Sequence, residues 1–103
     1  MNKEFIKETD GTVTKDKYFV TVEAVDYYEV KNDQHALFLD KGKQATVGDY
    51  VRLFKEVFDV DAELKSISPY MEFKVPNPKP KGIRLLKVLR ITRDFTYRPI
   101  TKI

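Results

Sequence analysis

Cysteine is absent from this chain, which excludes disulfides and thiolate metal sites and fits a reducing compartment. Nucleophile chemistry is equally thin. The only histidine is His35 and the only serines are Ser66 and Ser68. No G-x-S-x-G elbow surrounds either serine, and the plain reading of His35 is a strand-edge residue. The four glycines, Gly11, Gly42, Gly48 and Gly82, are scattered, so there is no phosphate loop and no dinucleotide fingerprint. No run approaches the ~20 apolar residues of a membrane span. The opening residues MNKEFIKETDG have no apolar h-region, so no secretory signal is expected. These absences point to a cytoplasmic protein that is not an enzyme, holds no cofactor or metal and does not enter the membrane.

Acidic residues are scarce in the last third. From Lys74 onward there are nine basic side chains, and Asp94 is the only acid, a net of +8. The preceding residues carry a net of −5, and the +3 of the whole chain conceals the split. Such an asymmetry points to a polyanionic partner more directly than the overall charge does.

What is present suits one small domain. A chain of 103 residues buries roughly 60–70% of its unfolded surface. Six tyrosines, seven phenylalanines and a 42% apolar fraction supply a core that a disordered chain would lack.

Local patterns predict the elements. Residues 1–16 are polar and broken by Gly11, and read as a loose arm. From Lys17, YFVTVEAVDYYEV is rich in Val and Tyr and reads as a strand. Its apolar set changes sides near Ala24–Val25, which suggests a bulge there. KNDQ (31–34) reads as a hairpin turn leading to a second strand, HALFLD (35–40). Val47, Tyr50, Val51, Phe54, Val57 and Phe58 form one helical stripe over 46–58. Thr46 and Asp49 are placed for a capping box. AELKSI (62–67) and MEFKV (71–75) read as strands around Ser68-Pro69. PNPKPKG (76–82) reads as an exposed, polyproline-like loop bearing two lysines. IRLLKVLRITRDF (83–95) fits a strand or a helix by periodicity, and its branched residues favour strand. Residues 96–103 read as a surface tail.

The expected fold class is therefore α+β: a single domain of about five mostly antiparallel strands on one amphipathic helix (46–58). A β-grasp-like sheet and a partly open barrel both fit. The expected core is Phe19, Val20, Val22, Leu37, Leu39, Val47, Val51, Phe54, Phe58, Leu64, Ile67, Phe73, Val75, Leu85, Leu89 and Ile91.

Two clusters could carry chemistry. Asp59, Asp61 and Glu63 alternate, so on a strand they would share one face, as a hard-cation site requires. No second acidic motif joins them, and a solvated strand face is the simpler reading. The basic third is different in kind. Its cations create a positive potential that attracts phosphates, and arginine's planar fork suits phosphate oxygens and ring faces. The expected nucleic-acid contacts are Lys79, Lys81, Arg84, Lys87, Arg90, Arg93 and Arg98, with Tyr97 as a stacking platform. RNA or single-stranded DNA is preferred, because no helix-turn-helix is visible. Competing with this, lysine and arginine guard sheet edges, and the basic third could dock on the chain's own acidic region.

The stretch VFDVDAELKSISP (57–69) is similar to a segment of small proteins from conjugative and phage elements of Gram-positive bacteria. The resemblance implies an accessory protein that binds nucleic acid, or one that binds and inhibits a host protein. It assigns no site residue. The alternative function is therefore a protein-binding regulator of a host nucleic-acid enzyme, with Asp26, Glu29 and Asp33 mimicking phosphates. The chain is expected to be a monomer or a homodimer, and strand 83–95 is a candidate contact between copies.

Overall fold

The computed structural model describes residues 15–97. Strands β1 (Lys15–Val25) and β2 (Val30–Asp40) come first, followed by helix α1 (Val47–Phe58). Strands β3 (Glu63–Ser66), β4 (Met71–Lys74) and β5 (Leu85–Arg93) complete the order β-β-α-β-β-β. All pairings are antiparallel, in one open sheet ordered β2-β1-β5-β4-β3. The protein is a small α+β domain with one open sheet, whose edges β2 and β3 are free among the described residues. The expected strand over 83–95 is present as β5, and it lies at the centre of the sheet. It is thus unavailable as an edge between copies.

The β1–β2 hairpin closes earlier than the turn cluster KNDQ suggests. Its loop is Tyr27–Tyr28. The Asp26 amide donates to the Glu29 carbonyl at 3.0 Å. The Asp26 carboxylate accepts from the amides of Tyr28 and Glu29 at 2.7 and 2.8 Å. That side chain substitutes for backbone acceptors, so residues 31–34 fall inside β2. The supposed end of the N-terminal arm is also strand: Lys15 and Asp16 pair with Asp40 and Leu39. The rest of the arm and the tail beyond Tyr97 lie outside the described residues.

The bulge sits on a different strand from the one expected. β1 keeps unbroken register with β2 from Lys15↔Asp40 to Val25↔Val30. The irregularity faces β5, where Thr21 opposes Arg90 and Val22 opposes Val88, leaving Leu89 as the extra residue. One inserted residue reverses the side-chain alternation. Leu86 and Val88 therefore enter the core, while Leu85 turns to the other face and Leu89 is only half-buried.

The core lies between α1 and one sheet face. Val20, Val22, Leu37, Leu39, Phe54, Phe73 and Val75 are buried as expected, joined by Tyr50, Leu53, Ala62, Leu86 and Val88. The Phe54 ring meets Phe73 edge-on at 5.0 Å. Val47, Leu64 and Ile67 are exposed, against expectation. Leu64 belongs to a short edge strand and Ile67 follows it, so neither is covered from both sides. Phe19 is half-buried on the face away from the helix.

α1 begins with the expected capping box. Thr46 Oγ1 accepts from the Asp49 amide at 3.2 Å, and Asp49 Oδ2 accepts from the Thr46 amide at 2.8 Å. The helix ends at Asp59, which is in the left-handed region at φ 58. Asp59 is thus a helix cap and not a strand residue. It and Asp61 contact the Lys55 ammonium at 3.5 and 3.6 Å, while Glu63 pairs opposite Lys74. The acidic triplet does not form one carboxylate face. Loop 76–82 is largely exposed but not hydrogen-bond free: the Gly82 amide donates to the Lys79 carbonyl at 2.8 Å, closing a turn with Lys81 at φ 64. No helix among the described residues is long and apolar enough to cross a membrane.

Candidate nucleic-acid interface

The sheet face opposite α1 is uncovered among the described residues. Register and alternation assign its occupants. β1 contributes Lys17, Phe19, Thr21 and Glu23, and β2 contributes Gln34, Ala36 and Phe38. β5 adds Lys87, Arg90 and Thr92, and β4 adds Glu72 and Lys74.

One end of this face is aromatic. Phe38 is 46% exposed, and its ring meets Tyr97 at 5.6 Å. The Lys17 ammonium lies 4.8 Å from the Phe19 ring centroid and 3.8 Å from the Asp94 carboxylate. Asp94 organises the turn that carries Tyr97. Its carboxylate accepts from the Thr96 hydroxyl and amide, and the Tyr97 amide donates to its carbonyl at 3.2 Å. The Thr96 hydroxyl and amide, with Lys17 nearby, hold the Asp94 carboxyl below the ordinary aspartate range.

The middle of the face is charged, and mostly self-neutralised. Lys87 stands 3.6 Å from Glu23 and 3.9 Å from Glu72, with its ammonium 5.4 Å from the Tyr70 ring. Lys65 reaches Glu72 at 4.0 Å. Arg90 is different. It is exposed, opposite Thr21, and has no carboxylate within ion-pair distance among the described residues.

The hairpin end carries a second aromatic group. Tyr27 and Tyr28 are 61% and 68% exposed, edge to face at 5.2 Å. Lys81 lies 5.9 and 5.8 Å from their centroids, and the Arg84 guanidinium 5.9 Å from Tyr27. Arg84 is anchored here because its amide donates to the Val25 carbonyl at 2.9 Å.

The eight residues expected to bind nucleic acid therefore do not form a single patch. Lys87, Arg90 and Tyr97 belong to the open face. Lys81 and Arg84 belong to the hairpin end. Lys79 is at the helix C-terminus, 3.6 Å from Asp59. It borders a cleft of about 510 Å³ lined also by Lys55, Asp61 and Asn77. Arg93 points to the helix side of the sheet, bonded to Asp16 at 3.0 Å and 5.0 Å from the Phe95 ring. Arg98 lies outside the described residues. Sequence reasoning missed Lys17, Phe19 and Phe38, which come from the acidic part of the chain. The alternation of Lys17 and Phe19 with the apolar Tyr18 and Val20 was the available signal.

Comparison with protein families, curated proteins and solved structures gives no match.

Proposed function

We propose that this protein is a non-catalytic nucleic-acid-binding accessory or regulatory protein that lays a single strand, RNA or single-stranded DNA, on the open sheet face. The observation that carries the proposal is the exposed Phe38 ring, with the half-buried rings of Phe19 and Tyr97 beside it, on the same face as the Arg90 guanidinium, which has no carboxylate within ion-pair distance among the described residues. Rings on an open sheet offer stacking platforms to unpaired bases, and each stacked base contributes about 1–3 kcal/mol. Arg90 then supplies a phosphate contact. Duplex DNA fits less well. The outer side of α1 alternates Arg52 and Lys55 with Asp49 and Asp59, its ion-pair partners, so no cationic helix face is offered to a major groove.

Fluorescence anisotropy with labelled single-stranded RNA, single-stranded DNA and duplex DNA tests this at several salt concentrations. Single strands bind, with log K falling steeply as log salt rises. Phe38→Ala weakens binding by about 1–3 kcal/mol, and Arg90→Glu abolishes it while the circular-dichroism spectrum is retained. No binding even at ~50 mM salt rejects the proposal.

A protein-binding regulator is the second reading, favoured by the exposed Tyr27–Tyr28 pair beside Arg84, residue types enriched at protein interfaces. Phosphate mimicry by Asp26 and Glu29 has little support. The Asp26 carboxylate is spent on the turn, and Glu29 lies 3.3 Å from Lys31.

A further inference from the structure

The two sheet edges are built differently. β3 has four residues and its register breaks at Lys65, so it offers almost no continuous ladder to another strand. β2 is eleven residues long, in unbroken register with β1. Between Asn32 and Phe38 it has no proline, lysine or arginine, and its only acid is Asp33. Of the usual devices that blunt a sheet edge, β2 carries over residues 30–38 only Lys31 and the helix-side Asp33, with no proline and no bulge.

The hydrogen-bond phase shows which β2 groups have no strand partner among the described residues. Asp26 bonds to Glu29, while the carbonyls of Lys17 and Val25 accept from Asp94 and Arg84 at the β5 side. Even-numbered β1 residues therefore bond to β2 and odd-numbered ones to β5. On β2 it follows that residues 31, 33, 35, 37 and 39 face β1. The amides and carbonyls of Asn32, Gln34, Ala36 and Phe38 point outward from the sheet.

We propose that β2 pairs antiparallel with β2 of a second copy, about a twofold axis at Gln34, joining two sheets into one. Apart from Lys31, which opposes Leu37, the sequence of β2 is self-complementary in this register. Gln34 opposes itself and Asn32 opposes Ala36. Val30, 56% exposed, opposes Phe38 on the open face. Asp33 opposes His35 on the helix side, where the imidazole packs edge-on against Phe58 at 5.3 Å. Each of these last three pairs occurs twice. Other centres are worse. At Asp33 the axis sets Asp33 against itself. At His35 it sets Val30 against Asp40. At Asn32 it joins Lys31 to Asp33, but only residues 30–34 pair before the hairpin turn intervenes. The Gln34 axis pairs residues 30–38 and brings the exposed Val30 and Phe38 together. The open faces of the two copies then lie side by side.

The native chain has no cysteine, so one introduced thiol reports the register. Gln34→Cys places two thiols on directly opposed, hydrogen-bonded residues, whose Cα atoms are about 5.5 Å apart, within disulfide range. Ala36→Cys places them about 14 Å apart along the strands. Sedimentation equilibrium of the unmodified chain shows a concentration-dependent dimer. Mild oxidation yields a disulfide-linked dimer of Gln34→Cys and little of Ala36→Cys. Gln34→Pro removes an outward amide and leaves the β1 ladder, so it sediments as a monomer with an unchanged circular-dichroism spectrum. A chain that is monomeric at every concentration overturns the proposal. So does equal cross-linking of the two cysteine variants, or a folded Gln34→Pro that remains dimeric. Gln34→Cys gives its answer even where Gln34→Pro fails to fold.

Discussion

The Lys87 ammonium stands 3.6 Å from the Glu23 carboxylate, across the β1–β5 ladder. The contact pairs a cation of the basic third with an acid of the acidic remainder, and it is not isolated. Arg93 meets Asp16 and Lys79 meets Asp59. The charge split along the sequence is thus partly closed by the fold, because β5 lies between β1 and β4 and finds their carboxylates. Arg90 escapes this, since its neighbour on β1 is Thr21.

Binding should follow that distinction. Arg90→Ala is expected to reduce the slope of log K against log salt by about 0.7, the contribution of one phosphate contact on a single strand. Lys87→Ala leaves the slope nearly unchanged, because its charge is already balanced by Glu23 and Glu72. Equal slope changes in both variants would show that Lys87 abandons its carboxylates for the ligand.

Helix α1 depends on a local device that can be tested without touching the open face. Thr46→Ala removes the acceptor of the Asp49 amide, and loss of such a cap costs about 1 kcal/mol. A domain of this size then melts about 4–8 °C lower, as read by circular dichroism. An unchanged midpoint would mean that water satisfies the first-turn amides equally well.

How much of this was legible in the residues differs by element. The helix was, because its stripe and its Thr46–Asp49 cap are local. The succession of strands along the chain was as well, since each strand carries its own branched or alternating run; their order in the sheet was not. The hairpin turn was not, because an Asp26 side chain, not a glycine or asparagine pair, closes the loop. Nor was the burial of Leu86 and Val88, because the bulge at Leu89 is set by pairing with β1, a partner more than sixty residues away. The site suffered most. Charge counted along the chain identified Arg90, but a face assembled from four strands draws Lys17, Phe19 and Phe38 from elsewhere in the sequence.

Acid should unfold the protein in a defined direction. The carboxyls of Asp26, Asp40, Asp49 and Asp94 are all held below the ordinary value of 3.8. The leading causes are the Glu29 amide for Asp26, Lys15 for Asp40, the Thr46 amide for Asp49 and Thr96 for Asp94. Each folded carboxyl binds its proton less readily than the unfolded one. Its contribution is therefore fully present above the unfolded pKa and is lost as pH falls through the lower, folded value. Urea midpoints measured on descending pH should hold steady until about pH 5 and then decline. In Asp94→Asn the decline should be shallower. A midpoint that rises on acidification would contradict the hydrogen bonds assigned to these groups.

Lys81 combines backbone strain with a position in the hairpin-end cluster, and one substitution separates the two. Its φ of 64 lies in the left-handed region, where a side chain with a Cβ is disfavoured by roughly 1–2 kcal/mol. It occupies the third place of the Lys79–Gly82 turn, after Pro80, where glycine is the preferred residue. Lys81→Gly should therefore raise stability by about 1 kcal/mol, less the greater chain entropy that glycine gives the unfolded state. A higher urea midpoint with an unchanged m-value is the expected result. The same variant removes the ammonium over Tyr27 and Tyr28. If the hairpin end contacts phosphate, Lys81→Gly binds single strands more weakly while being more stable, a combination that a purely structural role for Lys81 does not produce. Unchanged affinity together with higher stability would confine the nucleic-acid surface to the open face around Phe38 and Arg90.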